Sequence, residues 1–183
     1  SFYKTRALAT LSAAGTAFYN LSPDVRFTWQ SLIHCTQLDR DSHGTTEGAR
    51  CGVNGFKPYS RTHKVNFYDW LYGKSRFNRA GGTPLRSALQ RSGEFLSKSK
   101  AWVKDPVKNE GESYACRPSY NIIMTDGVWN GDSNISSPSN HDDKERDLPD
   151  GTSYSKQRPY ADGTNKTLSD YAFHYWSTDL MPG

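Results

Sequence analysis

The stretch Tyr120–Asp132, reading Tyr-Asn-Ile-Ile-Met-Thr-Asp-Gly-Val-Trp-Asn-Gly-Asp, constrains this chain more than any other. Ile122-Ile123-Met124 is a short apolar run rich in β-branched side chains, and it stops abruptly at Thr125-Asp126-Gly127. That pattern predicts a buried strand whose carboxyl end opens into a tight turn. In open α/β sheets ligands gather at the carboxyl ends of strands, which makes Asp126 a candidate metal or ligand residue. A turn aspartate bonding its own backbone accounts for the same residues, and the tripeptide alone does not separate the two readings.

The flanking sequence alternates helical and strand patterns. Thr5–Tyr19 sets Ala7, Leu8, Leu11, Ala14 and Phe18 on one helical stripe, and Asn20 to Pro23 ends it. Val25–Trp29 alternates apolar and polar residues and predicts a strand running toward Ile33. Residues 36–64, polar and glycine-rich, are expected to form a long exposed insertion. Phe67, Trp70 and Leu71 then lie at helical spacing over Val65–Tyr72, closed by Gly73. Thr83 is the expected N-cap and Pro84 the first residue of a helix near 84–99, with Leu85, Ala88, Leu89, Phe95 and Leu96 as its buried stripe. A second long irregular segment covers 131–166 and carries Pro138, Pro149 and Pro159. Thr167-Leu168-Ser169-Asp170 opens a last helix whose apolar face is Leu168, Tyr171, Ala172, Tyr175 and Trp176. Strands alternating with helices predict an α/β layer architecture around a mostly parallel sheet.

At 183 residues the chain is long enough for one domain with its own core. No run of about 18 apolar residues exists, so nothing in it is expected to span a bilayer. Ser1, with no initiating Met before it, is read as the start of a processed or excised piece. Residues 1–108 hold 17 Lys/Arg against 7 Asp/Glu, and residues 109–183 hold 6 against 12. The basic charges of the first part are scattered singly, without the compact Lys/Arg cluster of a nucleic-acid site. Nucleic acid is therefore not an expected partner. The acidic excess gathers at Asp142, Asp143, Glu145, Asp147 and Asp150, which suits either a cation or a soluble loop.

Three cysteines are present, with no Cys-x-x-Cys pair. Cys35 and Cys51 flank a polar loop that a disulfide could close, worth about 3 kcal/mol in the chain-entropy model. Such a bond favours an exported protein, and Cys116 is left over. The five histidines, His34, His43, His63, His141 and His174, show no convergent spacing. Ser12, Ser97 and the other serines lack a Gly-x-Ser-x-Gly setting, so a hydrolase rests on nothing specific.

Gly81-Gly82-Thr83 presents a hydroxyl at a helix start, and Thr125-Asp126-Gly127 a carboxylate at a strand end. Oxygen ligands of these two kinds, completed by water, suit a hard cation such as Mg²⁺. Gly81-Gly82-Thr83-Pro84-Leu85 followed by Ile122-Ile123-Met124-Thr125-Asp126-Gly127 resembles the second and third ligand motifs of the von Willebrand factor A domain. The resemblance implies a metal-ion-dependent adhesion site that takes Thr83 and Asp126 as ligands.

The likeness is closer still to the PilY/PilC family of type IV pilus tip and biogenesis proteins. Ala115-Cys116-Arg117, Asn121–Asp132, Pro159-Tyr160-Ala161-Asp162, Thr167–Ala172, Tyr175-Trp176 and Thr178-Asp179-Leu180 carry it, with the first helix and Arg26-Phe27. It implies a von Willebrand factor A-like sheet with helices on both faces, present as one partial domain over 1–183 with insertions at about 36–64 and 131–166. It further implies a non-enzymatic adhesion and assembly module, exported to the cell surface, the pilus tip or the outer membrane. Its partners would be pilin or minor pilins, other segments of the parent polypeptide, and a host or surface receptor. Mg²⁺ or Ca²⁺ would be the cofactor, at a site incomplete in this chain.

One departure stands out. The family's first ligand motif, Asp-x-Ser-x-Ser, occurs nowhere here; Asp132-Ser133-Asn134-Ile135-Ser136 fails at its third position. The resemblance then implies a chain that starts just past the first strand, with that strand supplied from elsewhere. A cytosolic assembly module of the metal-chelatase type is the alternative, and it would not need a disulfide.

Overall fold

A computed structural model describes residues 5–41, 50–73, 82–114, 116–125, 127–132, 135, 138–159 and 161–181. The elements in order are α1 (Arg6–Ala17), β1 (Arg26–Phe27), β2 (Lys57–Pro58), α2 (Arg61–Tyr72), α3 (Leu85–Leu96), a 3₁₀ turn (Ser99–Ala101), β3 (Val103–Asp105), β4 (Glu110–Ser113), β5 (Arg146–Asp147), β6 (Ser153–Tyr154) and α4 (Leu168–Trp176). Among the described residues the strands form three two-stranded antiparallel ribbons, β1–β2, β3–β4 and β5–β6.

Helix starts follow local chemistry. Thr5 accepts from Leu8 N at 3.2 Å and Ser60 from His63 N at 3.3 Å, each satisfying an otherwise orphaned donor of a first turn. Thr167 and Asp170 form a reciprocal capping box at the head of α4. Helix α2 starts at Arg61, one turn earlier than its apolar spacing predicts, because Ser60 supplies the cap. It ends at Gly73 as expected.

The main core is aromatic. Phe67 and Trp70 of α2 meet Leu11 and Ala14 of α1, with Trp29, Tyr59 and Phe27 between them. Phe27 sits at the centre, its ring 4.9 Å from both Phe18 and Tyr59 and 5.1 Å from Phe67. Edge-to-face rings at these separations add about 1 kcal/mol per pair beyond the area they bury. A second cluster joins Leu38, Phe95, Ala101 and Trp102, with Leu180 and Met181 packed on it.

Two expectations are corrected here. The described part of 36–64 is not exposed throughout: Cys51, Asn54 and Tyr59 are buried. Asn54 donates to Trp29 O at 2.7 Å and Cys35 O at 3.2 Å, stitching the Cys51 arm to the chain after β1. A polar residue thereby satisfies backbone carbonyls inside the core, a role that composition hides. On α4, Tyr171 and Asp170 face inward while Trp176 is 65% exposed. The capping box and a contact with α3 rotate the helix to that setting. Gly93 of α3 makes the contact feasible, since a Cβ there would lie 2.2 Å from the Tyr175 ring. Tyr175 then donates its hydroxyl to Gln90 O at 3.1 Å.

Candidate functional site

The head of α3 and the run 127–132 build the site. Pro84 lacks a side-chain cap and Leu85 N bonds Thr83 O at 2.9 Å, so Thr83 is not the N-cap that its sequence position suggests. The first turn is capped from a distance. Asp132 Oδ1 accepts from Ser87 N at 3.0 Å and from Ser87 Oγ at 2.8 Å, while Arg86 Nε donates to Oδ2 at 3.0 Å. The Asp132 side chain is fully buried. Burial alone would raise its pKa, but the bonds from Ser87 and Arg86 outweigh it and hold the carboxyl below the ordinary aspartate value. A carboxylate at a helix N-terminus is also favoured by the helix dipole.

Thr83 is clasped to the same run. Its N–H donates to Asn130 Oδ1 at 2.8 Å, and Asn130 N donates to Thr83 O at 3.1 Å. The clasp needs close backbone approach: a Cβ on Gly82 would lie 2.9 Å from Asn130 Oδ1. Gly131, at φ +71°, turns the chain between Asn130 and Asp132 in a conformation suited to glycine. Arg86 completes the junction, bonding Lys166 O at 2.9 Å and lying 5.7 Å from the centre of the Trp129 ring.

The sequence-derived site residues divide accordingly. Thr83 lies against Asn130, and Asp126 falls outside the described residues. Gly127 N bonds Thr125 Oγ1 at 3.3 Å, a turn held by its own threonine. The buried strand expected at 122–124 is corrected: residues 121–125 pair with no strand, and Ile122 and Met124 are 66% and 45% exposed. Tyr120 and Val128 stand out further, each 85% exposed. The apolar run has found no partner strand among the described residues, so nothing buries it. Cys35 and Cys51 are joined in a disulfide, with 5.2 Å between their Cα atoms, and Cys116 is a free, exposed cysteine. Asn130 and Asp132 carry no signal in the sequence beyond the Asn-Gly-Asp turn, because Thr83 already reads as the cap of that helix.

Chemically, the junction offers Thr83, whose hydroxyl is an oxygen donor of the type hard cations prefer. Both oxygens of Asp132 are spent on the helix. Among the described residues no group of three or more His, Cys, Asp or Glu is placed to hold a metal ion. No described helix is long and apolar enough to cross a membrane.

No protein-family model matches the chain, and no solved structure matches it. Curated relatives do. The chain is 45% identical over its whole length to the type IV pilus biogenesis factor PilY1 of Pseudomonas aeruginosa strain PAO1. Identity is 44% to PilY1 of strain PAK and 42% to that of strain UCBPP-PA14. The chain spans 14–15% of the length of these proteins. It is therefore related, from end to end, to one segment of the PilY1 type IV pilus biogenesis factors.

Proposed function

We propose that this chain works as an adhesion and assembly segment of a type IV pilus biogenesis factor, exported to the cell surface and carrying no enzymatic activity. The observation that carries this reading is the 42–45% identity to three PilY1 proteins across the entire chain. The disulfide between Cys35 and Cys51 supports it, because such bonds persist in oxidising compartments.

Within that role, Thr83 and Asp126 are two walls of a site for Mg²⁺ or Ca²⁺, in a von Willebrand factor A-like domain completed by other parts of the parent polypeptide. The clasp between Thr83 and Asn130 supports the pairing of these walls, since Asn130 lies in the same short run as Asp126. The exposed run from Tyr120 to Met124 supports completion from outside, because its apolar side chains suit a strand with a neighbour on each edge. A cation held by so few carboxylates keeps affinity for an acidic group on a surface ligand. Pilins or minor pilins and a surface receptor are the partners this reading expects.

The test uses the full-length parent protein in a piliated host. Asp126→Ala and Thr83→Ala should each weaken Mg²⁺- or Ca²⁺-dependent attachment of cells to a surface while the protein stays at its normal level. Attachment that is equally cation-dependent in both variants contradicts the metal reading.

A further inference from the structure

The segment 139–154 folds back on α4 through a cluster that the site above does not use. His141 N donates to Asp170 Oδ1 at 2.5 Å, and Tyr154 packs its ring 4.6 Å from Phe173. Arg146 Nη2 donates to His141 O at 3.0 Å, and Tyr154 donates its hydroxyl to Asp142 O at 3.0 Å. Across this seam His141 Nε2 lies 3.3 Å from His174 Nδ1, with the two rings at 89°. The histidines are 33 residues apart, one on the folded-back segment and one on the helix.

Two ring nitrogens at that distance need one N–H and one lone pair between them. Neutral imidazoles satisfy this, and so does a pair carrying one added proton. A pair carrying two added protons cannot, because N–H then faces N–H and like charges touch. We propose that the His141–His174 contact is an acid-sensitive latch, holding 139–154 on α4 until both imidazoles are protonated and then releasing it.

The surrounding charges make the second proton costly. Burial lowers the His141 pKa to about 4, with Arg146 of β5, His174 of α4 and Lys144 of the turn adding to it; Asp170 of α4 opposes them. Burial, then Arg146, lowers His174 as well. Folded values below the ordinary histidine value of about 6.5 mean that the latch contributes its full stability above that pH. The contribution is lost as pH falls from there toward about 4. Asp142 acts in the opposite sense: burial, then Asp170, raises its carboxyl, so its own protonation relieves repulsion in acid. The latch must therefore be read at the segment itself and not from global stability.

Hydrogen exchange of the full chain at about pH 7.5 and about pH 4.5, normalised for intrinsic rates, provides that reading. Protection of amides in 139–154, relative to α1, should drop at least about tenfold in acid, the factor that a single unit of pKa displacement carries. His141→Gln and His174→Gln, which cannot form an imidazolium pair, should drop less than the native chain, by the share that the other imidazole contributes. Unchanged protection in acid, or an equal drop in the variants, overturns the proposal. Should the variants fold poorly, imidazole NMR titration of the unaltered chain decides. Displaced, coupled midpoints for the two rings support the latch, and two independent titrations at the ordinary value overturn it.

Discussion

Asp132 caps the head of α3 from 45 residues beyond Ser87 in the chain: Ser87 N and Oγ both donate to Asp132 Oδ1, at 3.0 and 2.8 Å. This one carboxylate ties the run after Asp126 to the helix after Thr83. The arrangement of the candidate site rests on it.

Asp132→Ala should destabilise the chain by about 2–4 kcal/mol, since it strands the charge of Arg86 and two donors of Ser87. Asp132→Asn should cost less, because an amide oxygen still accepts from Ser87. Urea unfolding at neutral pH measures both. Because the folded-state pKa of Asp132 is depressed, its contribution is whole above the ordinary aspartate value of about 3.9 and is lost as pH falls below it. The gap between the native chain and Asp132→Asn should narrow in that acid window.

Gly93→Ala should destabilise despite the better helix propensity of alanine, because its Cβ would meet the Tyr175 ring at 2.2 Å. In a Tyr175→Ala background the same change should turn neutral, or stabilise by up to about 1 kcal/mol. A double-mutant cycle in thermal unfolding checks the sign reversal.

Alkylation and peptide mapping under denaturing, non-reducing conditions should find Cys35 and Cys51 linked and unreactive in the exported protein. Cys35→Ser should lower stability by about 3 kcal/mol, the loop-closure entropy of a 16-residue separation. Reactive thiols at both Cys35 and Cys51 would argue for a reducing compartment and against export.

Calorimetric titration of the isolated chain with Mg²⁺ or Ca²⁺ should show no micromolar affinity, because the proposed site draws only two ligand side chains, Thr83 and Asp126, from it. Micromolar binding would mean that the chain holds a complete site by itself.

Much of the helical structure was legible in the sequence because its signals are local. Thr5, Gly73 and the Thr167–Asp170 box mark ends that the structure keeps. Long-range polar pairings were not legible. Asn54 reads as a loop residue until it is seen holding two buried carbonyls. His141 and His174 look unrelated at 33 residues' separation, and Asp132 looks like one more acidic loop residue. The run at 122–124 shows the opposite limit. Its apolar, β-branched composition specifies a strand, but a strand forms only against a neighbour, and composition does not say where the neighbour comes from. For the site, neither the clasp between Thr83 and Asn130 nor the Asp132 cap that enforces it was legible, since both join residues 45 or more positions apart.

Segment exchange in a piliated host decides whether this chain serves pilus biogenesis. In Pseudomonas aeruginosa, the portion of PilY1 aligned with this chain is replaced by these 183 residues, and surface pili and twitching motility are measured. Piliation and motility should persist in the chimera and be lost when the portion is deleted. A chimera made at normal levels and exported, yet unpiliated and non-motile, would contradict that role.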